Sequence, residues 1–254
     1  MKSRQEIKSL AKEGVAAQRG TAILIFLVMF LISLGIGIIS IIPILGWLIA
    51  IAAGGFFLVA LEINIYGSFI KIFKKEQTEI GEPFSALSVN FLRKVGGTWW
   101  MALWVFIWSL LGVIAYIVFL SLIMAASYNG NEVSIGLMVI MPFIILVLSI
   151  PGIIKGLAYS MTPYILADCP NVTARDALKL SMRMTAGYKG KLFVLGLSFI
   201  GWALLSAITF YILLIVYTGP YMYATFSGFY LELKEQAIAT GVIEASELGA
   251  SELE

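Results

Sequence analysis

The sequence predicts an all-α fold: a polytopic membrane helical bundle of six transmembrane helices, built as three hairpin repeats, each preceded by a cytoplasmic amphipathic helix. Three observations predict it. Of 254 residues, 60% are hydrophobic and only 13% charged, against about 25% charged in soluble domains. Apolar runs recur that are long enough to cross roughly 30 Å of hydrocarbon as helices, without the alternation of barrel strands. The basic residues collect in the segments on one side of those runs and leave the opposite turns empty.

Residues 2–18 place Ile7, Leu10, Ala11 and Val15 at helical spacing with charges elsewhere, the pattern of an amphipathic helix on a membrane surface. Ser3 followed by Glu6 has the outline of a capping box. Residues 21–42 are the first span, read as uncleaved because the apolar run outlasts a signal-peptide core. Pro43 and Gly46 turn the chain into the second span, 47–73, which Glu62 and Asn64 interrupt and Lys71, Lys74 and Lys75 close. Residues 83–94 form the second amphipathic segment, with Phe84, Leu87, Phe91 and Leu92 on one face. The third span, 98–126, opens on Trp99, Trp100 and Trp104, where an interfacial aromatic belt is expected.

A polar turn follows at 128–132, carrying an Asn-Gly signal. Residues 136–167 exceed one crossing, and Pro142, Pro151 and Pro163 favour a bend; Asp168 ends the helix. Thr173-x-x-Asp176 repeats the capping outline, and Ala174, Ala177, Leu178, Ser181 and Met182 give the third amphipathic face. Residues 191–230 suffice for about two crossings with a tight turn near Thr209; the alternative is one span and a surface helix. Residues 1–234 then make a single membrane domain with repeats 1–75, 82–168 and 173–234, and 235–254 an acidic, mobile cytoplasmic tail.

The repeats are legible in two places. Ser3 to Gly20 and Thr173 to Gly190 have the same separation, and both glycines hand over to a span. On the returning helices, Glu62-x-x-x-Tyr66, Lys155-x-x-x-Tyr159 and Gly219-x-x-x-Tyr223 fall into register. Because positive loops stay in the cytoplasm during insertion, both termini and the three amphipathic helices are predicted cytoplasmic. Anionic lipid is the expected partner of those basic helices, with a protein partner on the same face.

The composition excludes much chemistry. A net charge of +2, dispersed over several segments, does not fit nucleic-acid binding. Cys169 stands alone, so an internal disulfide and a Cys-based metal site are excluded; there is no His, the commonest general base. Neither a Walker nor a dinucleotide loop occurs. No cofactor and no metal site are expected, and Asp168 beside Cys169 reads as a helix end before Pro170. The chain is expected not to be an enzyme.

What remains is a candidate intramembrane polar network of Glu62, Asn64, Tyr66, Lys155, Tyr159, Gly219, Pro220 and Tyr223. A charge at a helix centre costs about 2.5–3.5 kcal/mol on insertion scales, so Glu62 and Lys155 call for a partner or water. Three arrangements answer that need: an internal Glu62–Lys155 pair, snorkelling to the interface, or a solute pathway. Gly219-Pro220 at the same level would loosen its helix and expose carbonyls. The tyrosines around it read as interfacial belt residues and donors to helix ends.

Five stretches carry a family resemblance: KSRQEIKSLAKE from Lys2, TPYILAD from Thr162, ARDALKLS from Ala174, KLFVLGLSFIGW from Lys191 and PYMYATFSGFY from Pro220. On them the chain resembles the domain of unknown function 975 family, multi-pass membrane proteins of bacteria, over nearly its whole length. The first and middle hairpins match least. The resemblance implies a bacterial plasma-membrane protein, and brings no catalytic residue with it. The leading expectation is a non-enzymatic membrane scaffold or accessory subunit. The alternative is a transporter or channel for a small solute or lipid at the Glu62/Lys155 level, although the repeats share one orientation where many carriers are inverted.

Overall fold

A computed structural model describes residues 1–130, 132 and 134–249. Asn131 of the predicted polar turn and residues 250–254 of the predicted tail lie outside the described residues. All regular structure among the described residues is helical: α1 (Arg4–Ala17), α2 (Arg19–Ile39), α3 (Leu45–Phe73), α4 (Phe91–Tyr128), α5 (Ile135–Asp168), α6 (Ala174–Met184), α7 (Lys189–Ile208) and α8 (Gly219–Ala239). Five of them, α2, α3, α4, α5 and α7, are long and apolar enough to cross a membrane. Their outward residues are apolar at the end away from the basic loops, where Ile38, Leu48, Leu204 and Ile208 are exposed, as hydrocarbon-facing surface would be.

The core sits at the basic end. There α1 starts with its capping box complete: the Ser3 hydroxyl accepts from the Glu6 N–H at 3.2 Å, and the Glu6 carboxylate accepts from the Ser3 N–H at 2.6 Å. Its apolar stripe, Ile7 and Ala11, is buried in packing on α8 and α3. α6 starts in the same way, Thr173 accepting from the Asp176 N–H, and buries Ala177, Leu180 and Met184 in the same core.

α4 and α5 form a hairpin whose seam follows from four small residues. Ser109 and Gly112 on α4 face Ser149 and Gly152 on α5, and a side chain on either glycine would run into the opposite serine. Both hydroxyls donate within their own helices, to the carbonyls of Val105 at 2.8 Å and Ile145 at 2.7 Å, so the backbones approach closely with no polar group left open.

Several boundaries differ from the sequence reading. The middle amphipathic segment is not one helix: a single turn, Glu82–Ser85, is followed by Asn90 in the left-handed region (φ 52°), and α4 begins at Phe91. Leu92 is consequently 80% exposed and not on a shared face with Phe84. In α5 the helix runs through Pro142 and Pro151 and breaks at Ser160 and Met161, just ahead of Pro163, which supplies the first turn of a new segment without needing an N–H. Near Thr209 the chain does turn, through Phe210 (φ 49°) and Tyr211 (φ 64°), and the Ser206 hydroxyl donates across to Thr218 at 3.1 Å.

The tail is not loose as far as Gly249. α8 continues to Ala239, Ile243 and Leu248 are buried, and Arg183 of α6 makes a bidentate pair with Glu247 at 2.5 and 3.1 Å. Two buried aliphatic side chains and a forked ion pair explain why this acidic segment docks.

Candidate functional site

Glu62 and Tyr66 are one turn apart on α3 and therefore share a face. The Tyr66 hydroxyl donates to Glu62 Oε1 at 3.0 Å, and Tyr223 of α8 donates to the same oxygen at 3.1 Å. The two rings stack, with centroids 5.0 Å apart and planes 11° apart. Phe26 of α2 meets Tyr223 edge-on at 5.1 Å, and Tyr164 of α5 lies 4.6 Å from Tyr66. A half-buried carboxylate is thus held in an aromatic box drawn from four helices, its charge met by two hydroxyl dipoles.

Gly219 and Pro220 serve this box from below. Both are buried at the start of α8, after an irregular wide turn at Leu214–Thr218. A side chain on Gly219 would collide with the Phe26 ring, so its absence is what lets α2 and α8 close around Tyr223.

The other predicted network residues lie elsewhere. Asn64 faces away from Glu62: its amide donates to the Pro83 carbonyl at 2.7 Å, and its oxygen accepts from Lys94 Nζ at 2.6 Å. Lys94 also donates to the Ala86 carbonyl at 3.0 Å. This chain fastens the 82–90 segment to α3 and α4. Lys155 is on the α4 side of α5, with its Nζ 4.6 Å from the centre of the Trp108 ring, and Tyr159 is buried beside Leu178 against Trp100 and Trp104. Among the described residues neither Glu62 nor Lys155 forms an ion pair. The reason is the break at Met161: the Thr162–Asp168 part of α5 packs on α3, and the turn carrying Lys155 stays with α4.

Tyr164 and Tyr230 are buried, and the Tyr230 hydroxyl donates to Asp168 at 2.9 Å, where Lys234 Nζ arrives at 2.5 Å. Cys169 beside them is 3% exposed, and burial pushes its thiol up, the setting of an unreactive cysteine.

Sequence reasoning gave Arg93 no role beyond a charge of the second amphipathic segment. Its guanidinium donates to the carbonyls of Leu166 at 2.5 Å, Val172 at 2.7 Å and Cys169 at 3.2 Å. It caps the end of α5, where unsatisfied carbonyls collect. With Lys71, Lys74 and Lys94 it also lines a cavity of about 350 Å³ opening at the basic end. The available signal was the Arg-Lys pair at the mouth of a span, which matches many loops.

A family profile described as protein of unknown function (DUF975) matches residues 1–237. No curated protein and no solved structure matches the chain.

Proposed function

The chain belongs to the DUF975 family of proteins of unknown function, and from that premise we propose that it is a non-enzymatic membrane scaffold or accessory subunit. It would cross a bacterial plasma membrane six times, the sixth crossing made by residues 211–231. On this reading the three hairpins descend from one repeat, both termini are cytoplasmic, and the basic end meets anionic lipid and a protein partner.

The observation that carries the reading is the occupancy of Glu62. The acidic group a solute pathway would use accepts two tyrosine hydroxyls inside packed aromatic rings, and Lys155 stands on a different helix face. Both charges therefore support helix association before they support passage. The return of the chain through Phe210 and Tyr211, with the Ser206–Thr218 bond across the turn, favours a third hairpin over a surface helix.

Proteoliposomes test it. The intact protein should carry no proton or potassium current above that of lipid alone. A current abolished by Glu62→Gln would replace the scaffold with the transporter or channel reading.

A further inference from the structure

Between α4, α5 and the first turns of α6 is a cleft of about 310 Å³. Trp100, Trp104 and Trp108 recur every four residues, so their indoles rise along one stripe of α4 over roughly 12 Å. The first two meet edge-to-face at 5.9 Å. Lys155 stands over Trp108 at 4.6 Å and Arg175 over Trp100 at 5.3 Å, one cation toward each end of the stripe. Lys179 lines the same cleft, and no carboxylate does.

The charge balance of this cleft is one-sided. Lys179 has Asp176 at 3.4 Å, on the exposed flank of α6; Lys155 and Arg175 have no acidic partner among the described residues. An indole face orients a cation without supplying a counter-charge. Lys155, inside a helix long and apolar enough to cross a membrane, therefore lacks what an intramembrane charge ordinarily has, and the missing partner is an anion reached from the bilayer. Tryptophan is the residue that settles at headgroup level, and basic residues there attract anionic lipid.

We propose that this cleft binds one anionic phospholipid of the surrounding membrane. Its headgroup lies along the indoles between Lys155 and the Arg175–Lys179 end, and its acyl chains stay in the hydrocarbon. The site deepens the proposed function and rests on one part of it, that α4 and α5 lie in the membrane with their basic ends at its anionic surface.

Quenching by brominated lipid tests the site. With Trp47, Trp99 and Trp202 changed to Phe, emission comes from the three cleft tryptophans alone. In phosphatidylcholine nanodiscs, brominated phosphatidylglycerol should quench them with roughly fivefold or greater preference over brominated phosphatidylcholine at equal mole fraction. The preference should vanish in K155Q/R175Q and persist in K8Q/K12Q, whose charges lie on α1. Equal quenching by the two lipids, a preference that survives K155Q/R175Q, or its removal by millimolar inorganic phosphate each overturns the proposal, the last by making the ligand a free anion. If K155Q/R175Q does not fold, the exposed Arg175→Gln alone decides, an undiminished preference counting against the site. A proton or potassium current with the lipid preference intact would end the scaffold reading and leave this site standing.

Discussion

Tyr66 and Tyr223 lie ring over ring at 5.0 Å and give their hydroxyl hydrogens to one and the same oxygen of Glu62. They come from α3 and α8, which are far apart in sequence. A single carboxylate oxygen thus fixes both the rotation and the height of one helix against the other.

Removing one donor should be costly. Tyr223→Phe leaves the rings stacked but gives the half-buried carboxylate one hydroxyl in place of two, a loss of about 1–3 kcal/mol. A lowered thermal midpoint in detergent is the expected result, with Tyr159→Phe, whose hydroxyl makes no hydrogen bond among the described residues, as the unaffected comparison. If both changes shift the midpoint equally, the Glu62 box is not a stabilising centre.

Gly219→Ala should destabilise by about 1–3 kcal/mol, because a methyl group there overpacks against the Phe26 ring and against the Leu214 carbonyl oxygen. Phe26→Leu would relieve the ring contact alone. The double variant is therefore expected to lose less than the sum of the two single losses, and an additive pair of losses in thermal melts would show that α2 and α8 do not meet through this contact.

Arg93 should not be replaceable by lysine. Three carbonyls at the end of α5 accept from its planar fork, and a single ammonium reaches them poorly. Arg93→Lys should cost about 2 kcal/mol and open the segment after Asp168, so that the buried Cys169 becomes reactive to a maleimide. An unchanged labelling rate would remove the capping role.

Lys2 and Glu232 make the amino terminus sensitive to acid. Burial alone would push the Glu232 carboxyl up, but hydrogen bonds from the Lys2 ammonium and N–H outweigh it and hold the group below its ordinary value. Its contribution is present above the unfolded carboxylate value of about 4.3 and is lost as pH falls through the lower folded value. The protection factor of the Lys2 amide, which donates to Glu232, should accordingly be high at neutral pH and fall below about pH 4; Glu232→Gln should lower it already at pH 7.

Topology separates six crossings from five. Reporters fused at Gly130 and at Phe210 should be extracytoplasmic, and those at Gly187 and Gly241 cytoplasmic. An extracytoplasmic Gly241 would cancel the sixth crossing.

Much of this was readable beforehand where the cause is local. The Ser3–Glu6 cap, the start of α6 and the Glu62/Tyr66 and Gly219/Tyr223 spacings depend on order along the chain, and the structure joins those last two segments directly. The Lys155/Tyr159 segment lies apart because the direction of Lys155 is set by which helix covers α5 on either side of the break at Met161. Asn90 illustrates the same limit. Its left-handed backbone divides a segment whose apolar spacing reads as continuous, and only Asn64 and Lys94, holding the Pro83 and Ala86 carbonyls from other helices, determine where the division falls. The docked tail depends on one arginine meeting one glutamate 64 positions later.

The α4–α5 hairpin has a mechanical consequence. Its root is clamped by Arg93 and Lys94, whereas its far half packs along its own serine–glycine seam. α4 has 38 residues, so Tyr128 stands roughly 50 Å from Lys94 along the helix. The hairpin is a lever arm, and each degree of rotation at the root sweeps its tip through roughly 0.9 Å.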